Sequence, residues 1–265
     1  MFGAILGDII GSRHEFSGIK TKEFKLLDMD KNFITDDTFM TIAIAKAILE
    51  SKKDFELLKK NAVYYMRYIG NKYHAGYGIL FRQWLVEDDP KPYHSFGNGG
   101  AMRVSACGMY YDNEKDVISC SHAVTSVTHN HPEGLKAAQV VALAIFYLKK
   151  GISKEELKVK LKSYYPFTKN LNEIRKDYFF TEDAKETVPE AIQAFLEGKD
   201  FVDSIRNAIS LGGDADTLAC ITGSLAGIYF GIPKYLYVQL ESFIYEEELI
   251  KILNDFEKIV PVKIV

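Results

Sequence analysis

Gly212-Gly213-Asp214-Ala215-Asp216-Thr217-Leu218-Ala219-Cys220-Ile221-Thr222-Gly223-Ser224-Leu225-Ala226-Gly227-Ile228-Tyr229-Phe230 is the stretch that decides how this chain folds. Beyond Asp216 every residue is apolar or small, so a helix here has no polar face. Such a helix is buried on all sides, and its N-terminus opens into the interior with two carboxylates attached. On an ideal helix Asp214 and Asp216 point about 200° apart. They converge on one spot only if Asp214 occupies the N-cap position in a non-helical conformation, which the preceding glycines permit. Thr217, three residues after Asp214, then lies on the same side.

A second acidic cluster, Thr35-Asp36-Asp37-Thr38, stands about 180 residues upstream, also where a loop turns into an apolar helix. One Asp at either place is explained as a cap that satisfies free amides. Two clusters, each richer in carboxylates than a cap needs, are not. Brought together, four carboxylates and at least two hydroxyls supply the oxygen ligands of a hard divalent cation. That much negative charge persists in one site only if protons or metal ions compensate it. The pair reads as a two-metal site.

Helical spacing continues through the rest of the chain. Phe39, Met40, Ala43, Ile44, Ala47 and Ile48 recur at three-and-four intervals, as do apolar residues from Phe55 to Ile69, where Gly70 reads as the C′ residue. Val117, Cys120, Val124 and Val127 mark another stripe. Pro132 opens a helix that runs to Lys149-Lys150-Gly151, and Ser153 to Glu156 is a capping box. Further helices are expected over 101–111, 184–197, 200–211, 215–230 and 241–257, with 164–181 as a long surface loop. Runs of β-branched residues between turns are missing. The expected architecture is all-α, a single domain over 1–265, an orthogonal multi-helix bundle with the di-metal site at one end.

Bulk properties bound the function. The chain has 265 residues, 47% hydrophobic and 26% charged, with net charge −3, values of a globular protein with a sizeable core. No basic stripe marks a nucleic-acid surface; Lys158, Lys160 and Lys162 read as a solvated helix face. Cys107, Cys120 and Cys220 are odd in number, lack a C-x-x-C and sit among apolar neighbours, so they read as reduced core residues of a cytoplasmic protein. No stretch reads as a signal peptide or a membrane span.

Three more segments carry chemistry. Ser95-Phe96-Gly97-Asn98-Gly99-Gly100 leads into a helix, and its glycines let backbone amides approach an anion; an ordinary glycine turn explains it equally well. His129 and His131 flank Asn130 just before a helix, where capping is the commoner role and no third zinc ligand is near. Glu15 follows the glycine-bearing helix around Gly7-Asp8 as either a catalytic carboxylate or a surface charge.

In chain order, Gly7-Asp8 through Glu15, Thr35-Asp36-Asp37-Thr38, Gly97-Asn98-Gly99-Gly100-Ala101-Met102-Arg103, Thr128-His129 and Gly212-Gly213-Asp214-Ala215-Asp216-Thr217 resemble the ADP-ribosylglycohydrolase family. That family includes the dinitrogenase reductase-activating glycohydrolases, and the resemblance spans nearly the whole chain. It implies an all-α fold with two Mg²⁺ (or Mn²⁺) ions beside an ADP-ribose pocket. Thr35, Asp36 and Asp37 would hold one ion, Asp214 and Thr217 the other, with Asp216 bridging. Ser95, Phe96, Gly97, Asn98 and Gly99 would contact diphosphate and ribose, and His129 the ligand. Glu15 would be the catalytic acid. Beside what the resemblance implies, Asp8 and Arg103 read as structural, a pair behind the site. Some arginine-specific members place an Asp before a glycine where this chain has Ala75-Gly76-Tyr77-Gly78, which argues against an arginine-type specificity.

The expected activity is hydrolysis at C1″ of the distal ribose, releasing ADP-ribose from a protein or small molecule. A two-metal phosphoesterase cleaving the diphosphate is the rival enzyme, and a binding protein that kept the fold without catalysis is the rival non-enzyme.

Overall fold

The computed structural model describes residues 1–265 and contains fifteen α-helices, one 3-10 turn and no strand. The central pair is α1 (Phe2–Ser12) and α13 (Ala215–Tyr229). Every residue of α1 is buried, as is α13 from Ala215 to Ala226. The two run antiparallel in near-backbone contact. A Cβ on Gly3 would lie 2.2 Å from the Gly223 carbonyl oxygen, and one on Gly7 would lie 1.9 Å from that of Ala219. One on Gly11 would lie 2.5 Å from that of Ala215. Glycine every fourth residue keeps this face of α1 bare, because positions four apart lie on the same side of a helix. The close approach puts the C-terminal end of α1 against the N-terminal end of α13.

Other helices wrap this pair. The helix α2 (Asp36–Ser51) packs beside α1 and is buried from Asp37 to Ile48, apart from Lys46. α3 (Phe55–Lys72) lies on α2 and α7 (Glu114–Thr125). α8 (Pro132–Lys149), α11 (Ala184–Glu197) and α12 (Phe201–Ile209) cover α13. One continuous apolar cluster runs from Met1 to Phe256. The three cysteines are free and buried within it. No helix is long and apolar enough to cross a membrane.

Local signals set most boundaries. Thr35, Asp54, Asn113, Ser153, Asn170, Asp183 and Asp200 each accept a first-turn amide at a helix start, and both Ser153 and Asn170 complete capping boxes. Four expectations fail at boundaries, and one helix has no expectation behind it. Gly70 lies inside α3, because a Cβ there would meet the Leu85 side chain at 2.7 Å, so it serves packing rather than termination. The expected helix 101–111 is two short ones, α5 (Gly99–Met102) and α6 (Ser105–Tyr110). The loop 164–181 holds α10 (Leu171–Asp177), which buries Leu171 and Ile174. The span 241–257 begins with the 3-10 turn Leu240–Ser242, and α15 runs from Glu247 to Ile259. Finally, α4 (Ile79–Val86) follows the glycines at 76 and 78 without a side-chain cap, so nothing local announced it.

Candidate active site

Three chain segments meet where α1 ends and α2 and α13 begin. Gly212 takes φ +70°, a left-handed turn that a side chain would strain, and Gly213 passes against Tyr178, where a Cβ would come within 2.3 Å of the ring. This turn leaves Asp214 at the N-cap of α13 with φ −67° and ψ 86°. Its carboxylate makes no cap hydrogen bond and instead accepts from Asn98 Nδ2 at 2.7 Å. Asp216 follows in the first turn and accepts the Thr217 amide at 3.0 Å. Oxygens of Glu15, Asp214 and Asp216 lie within 4.8 Å of one another.

The α2 side is fastened by Asp8. Its carboxylate accepts the Thr35 hydroxyl at 2.7 Å, the Thr35 and Thr38 amides at 3.1 Å each, and the Thr38 hydroxyl. A hydroxyl whose proton is committed to Asp8 keeps lone pairs for another partner. Thr35 also caps α2 by accepting the Asp37 amide at 3.3 Å. Asp37 Oδ2 accepts from Thr217 Oγ1 at 3.2 Å, which joins the two clusters directly, while its Oδ1 is buried without a partner.

The two acidic clusters and Glu15 face a cavity of 430 Å³, within the roughly 300–1,000 Å³ of ordinary ligand pockets. Glu15, Asp36, Asp37, Asp214, Asp216, Thr217, Ser95, Gly97, Asn98, Gly99 and His129 all line it. Two expected site residues do not. Thr35 sits behind the wall on Asp8, and Phe96 turns outward, 51% exposed, with its ring edge-on to His131 at 5.5 Å. Phe96 contributes its carbonyl instead, which accepts the Ala184 amide at 3.1 Å and ties the glycine loop to α11. His131 caps α8 by accepting the Glu133 amide at 3.1 Å.

Sequence reading missed several lining residues. Phe81 and Arg82 come from the start of α4, Tyr77 from the turn before it, Tyr93 from the loop before Ser95, and Glu182 from just beyond the loop expected at 164–181. Apart from Tyr77, in the Ala75 to Gly78 segment compared with the family above, none stands in a pattern that announces it. Asp8 and Arg103 are not the expected pair: Asp8 serves Thr35 and Thr38, whereas Arg103 donates to the Val124 carbonyl and to Thr128 Oγ1.

Electrostatics match the crowding. Burial, then Asp216, raises the Asp8 carboxyl to about 7, and burial, then Asp8, raises Asp36 to about 7. Burial raises Asp214 to about 6. Asp37 and Asp216 are pushed well above the usual carboxylate range by burial and then by their acidic neighbours. Glu15 rises to about 8 through burial and the charges of Asp216, Asp36 and Asp8. The helix N-termini of α2 and α13 favour anions by about 0.3–1 kcal/mol each, too little to offset this. Divalent cations fit the residues present: the donors are hard oxygens, Asp37 Oδ1 is orphaned, and the Asp214 carboxylate is withheld from its cap.

The segment between α1 and α2 that carries Glu15 is tied down on its far side. Lys20 donates to the carbonyls of Tyr178 and Leu211, Arg206 to those of Lys22 and Phe24, and Phe16 packs on Phe180 at 5.3 Å.

Comparison with known proteins identifies the family. The chain is 26% identical to human ADP-ribosylhydrolase ARH3 over an alignment 306 positions long, covering 88% of this chain and 84% of that one. It is 22% identical to ADP-ribosylarginine hydrolase Tri1 of Serratia proteamaculans, covering 94% of this chain and 75% of that one. A solved structure described as an ADP-ribosylglycohydrolase-related protein complex superposes with TM-score 0.72 at 24% identity, over 98% of this chain and 95% of that one, which shows a shared fold. The sequence pattern of the ADP-ribosylglycohydrolase family matches residues 1–260. With its acidic clusters joined at the ends of α1, α2 and α13, this chain is an enzyme of the ADP-ribosylglycohydrolase family.

Proposed function

We propose that this protein releases ADP-ribose by hydrolysing the bond at C1″ of the distal ribose of an ADP-ribosylated substrate. The observation that carries the reading is the convergence of Asp36, Asp37, Asp214, Asp216 and Thr217 with Glu15 on one cavity. The names of the relatives, hydrolases of ADP-ribosyl groups, support the substrate class.

Asp36 and Asp37 would hold one divalent cation, Asp214 and Thr217 a second, with Asp216 shared; Thr35, turned to Asp8 behind the wall, would steady the start of α2. When bound, such ions polarise oxygens and lower the pKa of a coordinated water. Everything else falls to the chain. Asn98 fixes the Asp214 carboxylate through its 2.7 Å hydrogen bond, and Asp8 fixes Thr35. The Ser95 to Gly99 loop lies beside Arg82 and His129, side chains suited to a diphosphate, while its Gly97 and Asn98 amides are taken by Ser95 Oγ and the Glu182 carbonyl. Glu15 is the group placed to move a proton, taking it from water or giving it to the leaving oxygen or nitrogen as oxocarbenium character develops at C1″. Burial, then the charges of Asp216, Asp36 and Asp8, raise its pKa in the metal-free protein. Mg²⁺ and Mn²⁺ are both suited to these oxygen donors.

A panel of ADP-ribosylated acceptors, incubated with and without Mg²⁺ and followed by chromatography of the nucleotide product, tests the proposal. Intact ADP-ribose appearing only with the metal is the expected result. AMP in its place would assign the site to diphosphate cleavage, and no product from any acceptor would refute catalysis of this class.

A further inference from the structure

Behind the glycine loop, one threonine stands between an arginine and a histidine. Thr128 Oγ1 lies 2.6 Å from Arg103 Nη2 and 2.7 Å from His129 Nδ1. A guanidinium only donates, so Arg103 occupies one lone pair of the threonine oxygen. The threonine's own proton has two acceptors in range, His129 Nδ1 at 2.7 Å and the Thr125 carbonyl at 3.5 Å. The second is at the outer limit of a hydrogen bond, so the proton is given to Nδ1. Nδ1 is therefore bare, and a neutral imidazole with a bare Nδ1 carries its hydrogen on Nε2.

The surroundings hold the ring neutral and in place. Arg103 is itself fully buried and anchored to the Val124 carbonyl at 3.2 Å, so its charge stands permanently beside the imidazole. The His129 amide donates to the Thr125 carbonyl at 2.9 Å, and Tyr93 packs on the ring at 5.9 Å. Nε2 faces the loop: a Cβ on Gly99 would be 3.2 Å from it and one on Gly97 would be 3.8 Å away. The glycines thus leave this nitrogen uncovered on the cavity they share with it.

We propose that Arg103 and Thr128 are positioning residues that lock His129 in the Nε2–H tautomer, so that it presents a neutral donor to an oxygen of the bound ADP-ribosyl group. This deepens the reading of the site given above and rests on it for the identity of the ligand. A neutral donor suits a cavity that also takes divalent cations, because an imidazolium there would repel them.

Long-range ¹H–¹⁵N spectra of the ligand-free protein at neutral pH, with His129 assigned by its loss in His129→Gln, read the tautomer directly. The expected pattern is an unprotonated Nδ1 and a protonated Nε2; the reverse pattern, or two protonated nitrogens, overturns the proposal. Thr128→Ser keeps the hydroxyl and should keep both the pattern and the affinity for ADP-ribose. Thr128→Val should mix the tautomers and weaken ADP-ribose binding about tenfold, the scale of one neutral hydrogen bond. A Thr128→Val protein that retains the wild-type tautomer overturns the relay, and if that variant does not fold, the wild-type and Thr128→Ser spectra still decide. The expected tautomer with no response of Nε2 to added ADP-ribose would leave the assignment standing and overturn the ligand reading instead.

Discussion

Substituting Gly11 with alanine places a new Cβ 2.5 Å from both the Ala215 carbonyl oxygen and the Asp216 Cα. Ordinary contact begins near 3.4 Å, so the two backbones must separate by about 0.9 Å. Neither atom belongs to a flexible side chain, and α1 and α13 are buried on all sides, so the strain has no easy outlet. Overpacking of this kind costs about 1–3 kcal/mol, which lowers the thermal midpoint by roughly 2–10 °C. The functional cost is larger, because α1 carries Asp8 and leads to Glu15 while α13 carries Asp216. A displacement of about 1 Å at a reacting site lowers turnover by about 10²-fold. Gly227→Ala is the control at the other end of the same helix pair, where the nearest atom, Gly3 Cα, is 3.3 Å away. Calorimetric titration with Mn²⁺, melting curves and release of ADP-ribose would be measured on both variants. Gly11→Ala should lose metal affinity and activity, and Gly227→Ala should keep them. Wild-type Mn²⁺ affinity in Gly11→Ala would refute the claim that contact between these two helices sets the site geometry.

Three further outcomes are expected. Asp216→Asn should abolish Mg²⁺-dependent turnover with the helical circular dichroism intact, and its melting point in chelator should not fall, because one of several mutually repelling carboxylates is gone; retained activity would refute its role as a ligand. Glu15→Gln should leave ADP-ribose affinity within about twofold while slowing hydrolysis by about 10²–10⁴-fold, the usual scale of acid–base assistance, and an unchanged rate would move the proton transfer elsewhere. Asp8 and Asp36 titrate near 7 in the folded chain against about 4 when unfolded, so the folded state retains protons that the unfolded chain releases. Stability in chelator is therefore highest below about pH 4 as far as these groups are concerned and falls as pH rises through about 7. Melting in chelator should occur on the order of 5 °C lower at pH 8 than at pH 5, and Mg²⁺ should recover more stability at pH 8; a melting point that rises with pH across that window would contradict the sign.

The sequence alone determined the helical class and most helix starts, because capping residues and apolar spacing act over three or four neighbours. It also determined that Asp36, Asp37, Asp214 and Asp216 exceed what capping requires, and the 3.2 Å contact between Thr217 and Asp37 joins the two clusters. Only the tertiary structure decided the rest. Gly70 looks like a stop signal and is a packing site, since Leu85 arrives from another helix. Phe96 sits in the glycine loop, yet its ring turns outward where Gly97 pairs by its backbone with Asp183. Glu182 and Arg82 reach the cavity from segments without a motif. The partners of Asp8 and Arg103 lie 21–30 residues away in the chain. Local spacing carries no information about which buried charge meets which hydroxyl across that distance; that is set by the close packing of α1 on α13 and of α2 beside them.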